Sequence, residues 1–159
     1  MKNRIRFADN PWPDGHLIKE LEWTARIDPE TGLWFDLHLV SDDYYAEDED
    51  SEEDYEEEPE SDWAAKIVWS NYHNCILSST FWGHSGFHVA TENEPLDFSD
   101  LATRTFRLDP LPPPDDPYKR AFGIYLLGHD GAADHEIQFV PSGNNKYELN
   151  WCGKSPWNT

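Results

Sequence analysis

Cysteine is scarce in this 159-residue chain, which carries only Cys75 and Cys152, and two thiols cannot build a disulfide framework. Long apolar runs are missing as well, and no stretch has the length needed to span a bilayer. The residues from Met1 to Phe7 include early positive charge but lack the apolar run of an export signal. The expectation is a cytosolic protein that keeps both cysteines as thiols. Basic residues are few, 12 Lys and Arg against 32 Asp and Glu, for a net charge of −20. That balance disfavours nucleic acid, whose phosphates call for clustered Lys and Arg, and disfavours an anionic membrane surface for the same reason. Catalytic signatures are absent too. The chain has no Gly-x-Gly-x-x-Gly, no phosphate-cradling Gly-Lys loop and no His-Glu-x-x-His, so no cofactor is expected. In Gly83-His84-Ser85-Gly86-Phe87 the nucleophile elbow fails, because Phe87 takes the place of the last glycine and a strand-like segment follows.

What is present is aromatic and acidic. Aromatics make up 14% of the chain and include eight Trp, and such side chains can build a core from a modest apolar fraction. The acid is concentrated: residues 42–62 hold fourteen Asp or Glu and no Lys or Arg, while the remainder carries 18 acidic and 12 basic residues. Like charges repel there and only Tyr44, Tyr45 and Tyr55 offer apolar area, so 42–62 is expected to be a disordered loop inserted in one domain spanning 1–159.

On both sides of the run the pattern has period two. Leu21, Trp23, Ala25 and Ile27 alternate with polar residues, as do Leu33, Phe35, Leu37 and Leu39. Asp28-Pro29-Glu30-Thr31-Gly32 between them has the composition of a turn, so 20–40 is read as a β-hairpin. Trp63, Ala65, Ile67 and Trp69 predict another strand, followed by strands over 75–82 and 87–91. Residues 93–101, with Pro95 near the start, predict one short helix. An edge strand over 104–108 leads into a proline-rich surface connector, 109–117. Strands over 122–127, 135–140 and 146–152 complete the reading as a three-stranded meander. The expected fold is mostly β, an antiparallel sandwich or barrel-like sheet with at most one short helix.

Three sites compete. Trp34, Asp36 and His38 share one strand face, which, with Trp82, offers an aromatic and polar patch for a partner. In Gly128-His129-Asp130-Gly131-Ala132-Ala133-Asp134-His135, the side chains of His129, Asp130, Asp134 and His135 are ligand types for zinc or manganese, with His84 or His88 as further ligands. A polar hairpin turn has the same composition. Cys75 and Cys152 sit in strand patterns that suit inert core thiols. Exposed tryptophans such as Trp12, Trp34, Trp82 and Trp157 would suit a sugar-binding module. In small size, acidity and strand-plus-turn build the chain resembles bacterial immunity proteins that block a partner toxin. That likeness is one of general character and assigns no residue. The leading expectation is a protein-binding or inhibitory domain engaging a basic protein partner, ahead of a metal-dependent enzyme or metal-binding domain and of a sugar-binding module.

Overall fold

The structure is a computed structural model and describes residues 3–46, 63, 65–69, 71–82, 84, 86–91, 93–96, 98–110, 120–143 and 146–154. The acidic run from 47 to 62 and most of the proline-rich connector, 111–117, lie outside the described residues. The hairpin is realised as β2 (His16–Asp28) and β3 (Gly32–Ser41), paired antiparallel from Asp28↔Gly32 to Ile18↔Ser41. Its turn forms because the Asp28 carboxylate accepts the Glu30 and Thr31 N–H groups at 2.8 and 3.0 Å. These bonds hold the Asp28 carboxyl below its usual range. Gly32 has φ 106°, and a Cβ there would lie 2.2 Å from the Ala90 carbonyl oxygen, so both the backbone and the neighbour demand glycine.

Around this hairpin a sheet is built in the order β1-β2-β3-β4-β7-β8, from β1 (Arg4–Ile5), β4 (Ile76–Ser78), β7 (Gly123–Tyr125) and β8 (His129–Asp130). The outer side of β3 is forked: His38 to Val40 pair with β4, and Leu33 to Phe35 pair with β5 (Phe87–Ala90). A second sheet has the order β10-β9-β6, with β6 (Thr105–Leu108), β9 (Ala133–Gly143) and β10 (Lys146–Lys154). All pairings are antiparallel and the large sheet curls into a half-barrel, the sandwich-or-barrel architecture expected. Phe35, Leu37, Leu39 and Phe87 of the large sheet meet Phe106, Ile137 and Phe139 of the small one, all buried. Each such side chain contributes about 1.5–3 kcal/mol by leaving water.

Several elements depart from the sequence reading. The stretch containing Trp63 and Trp69 is not a strand: Lys66–Trp69 forms a single helical turn, α1. Trp69 is fully buried and its indole donates to the Trp63 carbonyl at 3.0 Å, so packing of the two rings overrides the alternation. The helix expected over 93–101 is reduced to α2 (Phe98–Leu101). The strand expected over 75–82 ends at Ser78, whose hydroxyl accepts the Thr80 and Phe81 N–H groups at 3.0 and 3.2 Å and turns the chain away. The meander is split, because β7 joins β4 and β8 while β9 pairs with β6 and β10. Asp42 to Ala46, counted above in the acidic loop, belong to the folded body. Tyr44 is 1% exposed and its hydroxyl donates to the Leu126 carbonyl at 2.7 Å. Tyr44, Trp12 and Trp63 all pack on Trp69, and the Tyr45 hydroxyl bonds to the Lys66 carbonyl. The two ends of the acidic run are therefore tied to one aromatic cluster.

Candidate functional site

Alternation along β3 sends Phe35, Leu37 and Leu39 inward and Trp34, Asp36 and His38 to the outer face of the sheet. The outward residues are not simply solvated. The chain leaving β4 crosses over them, so Asp36 is 8% exposed and His38 7%. At the fork, where neither β4 nor β5 pairs with β3, Ser79 fills the gap. Its hydroxyl donates to Asp36 Oδ1 at 2.8 Å and accepts the Leu37 N–H at 3.0 Å. Asp36 Oδ2 accepts from Arg26 Nε at 3.1 Å, and the Arg26 guanidinium lies 5.0 Å from the centre of the Trp34 ring. A buried carboxylate is tolerated here because a cation and a hydroxyl both meet it.

His38 is held in the same way. Ser78 Oγ accepts two backbone N–H groups, and His38 Nδ1 at 2.8 Å and Thr80 Oγ1 at 3.1 Å both lie within reach of its own hydrogen. Ser78 is fully buried, so this His and Ser pair orients the loop and has no access to a substrate carbonyl. Above His38 lies Phe81, with ring centres 4.4 Å apart, and Phe81 is 44% exposed. Trp82 follows with φ 61°, a left-handed conformation that a bulky side chain adopts only when its surroundings impose it. Trp82 and His84 both pack where a Cβ on Gly123 would sit. On the other flank His88 donates from Nε2 to the Thr31 carbonyl at 2.6 Å and packs edge-on against Trp34. Of the four residues singled out as a partner patch, Trp34, Asp36 and His38 lie along the outer face of β3, and Trp82 lies beyond Phe81, next to His84. Phe81 was missed because only the turn at Ser78 places it over β3.

The residues considered for a metal are arranged differently. His129 and Asp130 form β8, and their side chains lie outside the described residues. Asp134 and His135 are successive residues of β9, and Asp134 takes a left-handed φ of 49° beside a break in the β9–β10 register. The Asp134 carboxylate pairs with Lys154 at 3.3 Å, while His135 is 2% exposed. Trp151 Nε1 donates to His135 Nδ1 at 3.0 Å, which makes Nε2 the protonated nitrogen of the neutral ring. Nε2 lies 3.8 Å from Asp109 Oδ2, beyond hydrogen-bond reach. Burial pushes the His135 pKa down to about 4, against the opposing pull of Asp109 and Asp134. Among the described residues, no three His, Cys, Asp or Glu side chains converge as metal ligands would.

Asp109, expected at the start of a surface connector, instead faces inward. Its carboxylate accepts the Ala121 and Phe122 N–H groups at 2.7 and 3.2 Å, clasping together the two ends of the proline-rich stretch. Both cysteines are free, with Cys75 buried as expected and Cys152 exposed on β10, not in the core. Of the seven described tryptophans, Trp12, Trp63 and Trp69 are buried and the other four half-buried. No helix among the described residues is long and apolar enough to cross a membrane. No protein-family model, curated protein or solved structure matches this chain.

Proposed function

We propose that this chain is a protein-binding domain of inhibitory type, which docks a basic protein partner on the outer face of its large sheet. The observation that carries this reading is the segment following Ser78. Hydrogen bonds from Ser78 and Ser79 hold it over β3, where it presents Phe81 at 44% exposure above His38, followed by Trp82 at φ 61°. Aromatic side chains on a rigid support lose little freedom on binding, which suits an interface centre. Next to them β2 contributes the exposed Glu20 and Glu22, and the chain as a whole carries −20. That field would draw in a cationic surface and speed encounter, while the aromatic patch would select among cationic partners.

A sugar-stacking platform needs rings laid open along one face, and none of the seven described tryptophans is exposed, so the protein reading ranks ahead. A cytosolic setting belongs to the same proposal and is supported by two free thiols, one of them exposed. The test uses the whole chain and a Trp34→Ala/Phe81→Ala variant as parallel baits in extract of the native cell. A basic protein should be retained by the parent at low salt, weakened at high salt and lost from the variant. The same captured set on both baits would sink the proposal.

A further inference from the structure

The inner side of the half-barrel carries a feature that the outer-face reading does not use. Between the two sheets opens a groove of about 750 Å³, within the range of pockets that enclose small molecules. Its floor is the inward row Leu39, Leu77 and Ile124, and Trp23, Leu149 and Trp151 stand on its walls. These three wall residues are only half-buried, so apolar surface that a closed barrel would cover meets the groove instead. The charged lining is of the opposite sign to the chain. It comprises Arg4, Arg6 and Lys154, the last also paired with Asp134 at 3.3 Å, against the single lining carboxylate Glu148, in a protein with 12 basic and 32 acidic residues.

Two occupants fit an apolar groove with a cationic lining: an extended acidic peptide adding to a strand edge, or an amphipathic carboxylate. β10 is an edge strand, but its pairing with β9 is irregular at both ends, between Lys146 and Tyr147 and between Cys152 and Lys154. It also carries Lys146, Glu148 and Lys154. Irregular register and edge charges are the devices that block strand addition. We therefore infer that the groove binds a long-chain carboxylate of the fatty-acid class, its aliphatic chain against Trp23, Leu149 and Trp151 and its head group within reach of the exposed Arg6 and of Lys154, which it would share with Asp134. This site lies on the opposite face of the sheet from Trp34 and His38 and stands independently of the proposed partner.

The groove brings its own reporters, since Trp23, Trp63 and Trp151 line it. Stearate carrying a nitroxide on its chain, added below its micelle concentration, should quench tryptophan emission saturably at one molecule per chain. Unlabelled stearate should reverse the quenching at least tenfold more effectively than stearyl alcohol. Leu149→Arg, which places a charge on the wall, should weaken binding at least tenfold, and so should Arg6→Glu/Lys154→Glu. The second variant alters only exposed side chains, so it decides the matter if Leu149→Arg melts early. Quenching that does not saturate, equal displacement by the alcohol, or unchanged binding in the Arg6→Glu/Lys154→Glu variant would each overturn the inference. Saturable binding of an alternating apolar and acidic peptide with none of stearate would overturn it in favour of strand addition.

Discussion

At the middle of β3 the two faces are nearly equally buried and are held by different forces. Inward, Phe35, Leu37 and Leu39 lie between 0 and 6% exposed in an apolar core. Outward, Asp36 and His38 are 8 and 7% exposed, yet each is met by a serine hydroxyl. Removal from water stabilises the first set without regard to direction. The second set is stabilised only in one geometry, because an unmet buried polar group costs about 1–3 kcal/mol. The outer face is therefore the more specific of the two and the inner face the more tolerant, which suits a docking surface outside and an adaptable groove within.

The largest expected effect tests this division directly. Leu37→Ala should cost about 2–5 kcal/mol by leaving a cavity, whereas Ser79→Ala should cost about 1–3 kcal/mol by stripping Asp36 of its hydroxyl donor and the Leu37 N–H of its acceptor. Denaturant melts of both variants give the comparison. If Ser79→Ala equals Leu37→Ala, the hydrogen-bonded layer is as much core as the apolar one.

Acid probes the inner face through His135. Its pKa is about 4 in the folded protein, against 6.5 ordinarily. As pH falls below 6.5 the unfolded chain takes the proton first, so the stabilisation is complete above that pH and drains away toward pH 4. The total is about 3 kcal/mol at most. His135→Gln should flatten this part of the stability profile while leaving the carboxylate-dependent loss at lower pH. An unchanged slope between pH 6.5 and 4 would show that the ring is not kept neutral by burial.

The acidic run should give the smallest effect. Deleting residues 47–60 removes eleven carboxylates, but the aromatic contacts of Tyr44, Tyr45 and Trp63 lie outside the deletion. Joining ends already held together costs little, about 0.6 kcal/mol per doubling of loop length. The thermal midpoint should stay level or rise, as circular dichroism melts of the two chains would show. Unfolding on deletion would place the run within the fold.

Local chemistry was the readable part of this fold. The β2–β3 hairpin announces itself because alternation and an Asp-to-Gly turn agree, and the same alternation puts Trp34, Asp36 and His38 on one face. What covers that face could not be read, since Ser79 meets Asp36 across 43 residues of sequence. Nor could the place of β7, because a short strand carries no mark of which sheet it will join. Trp63 and Trp69 misled by having period-two spacing in a segment whose rings are buried by a turn. The groove was invisible for a related reason: it exists only between strands whose order the sequence does not encode locally.

The cluster at the ends of the acidic run has an optical consequence. The Trp12 and Trp63 rings lie 5.6 and 5.2 Å from Trp69, and Tyr44 lies 4.7 Å from it. Transition dipoles at such distances do not absorb independently; they mix, and in a chiral frame they produce paired bands of opposite sign in circular dichroism. The intensity of that couplet falls steeply as the rings separate. The native chain thus carries an unlabelled gauge of whether the chain segments flanking its most charged stretch are together, readable during folding or while a partner binds elsewhere on the molecule.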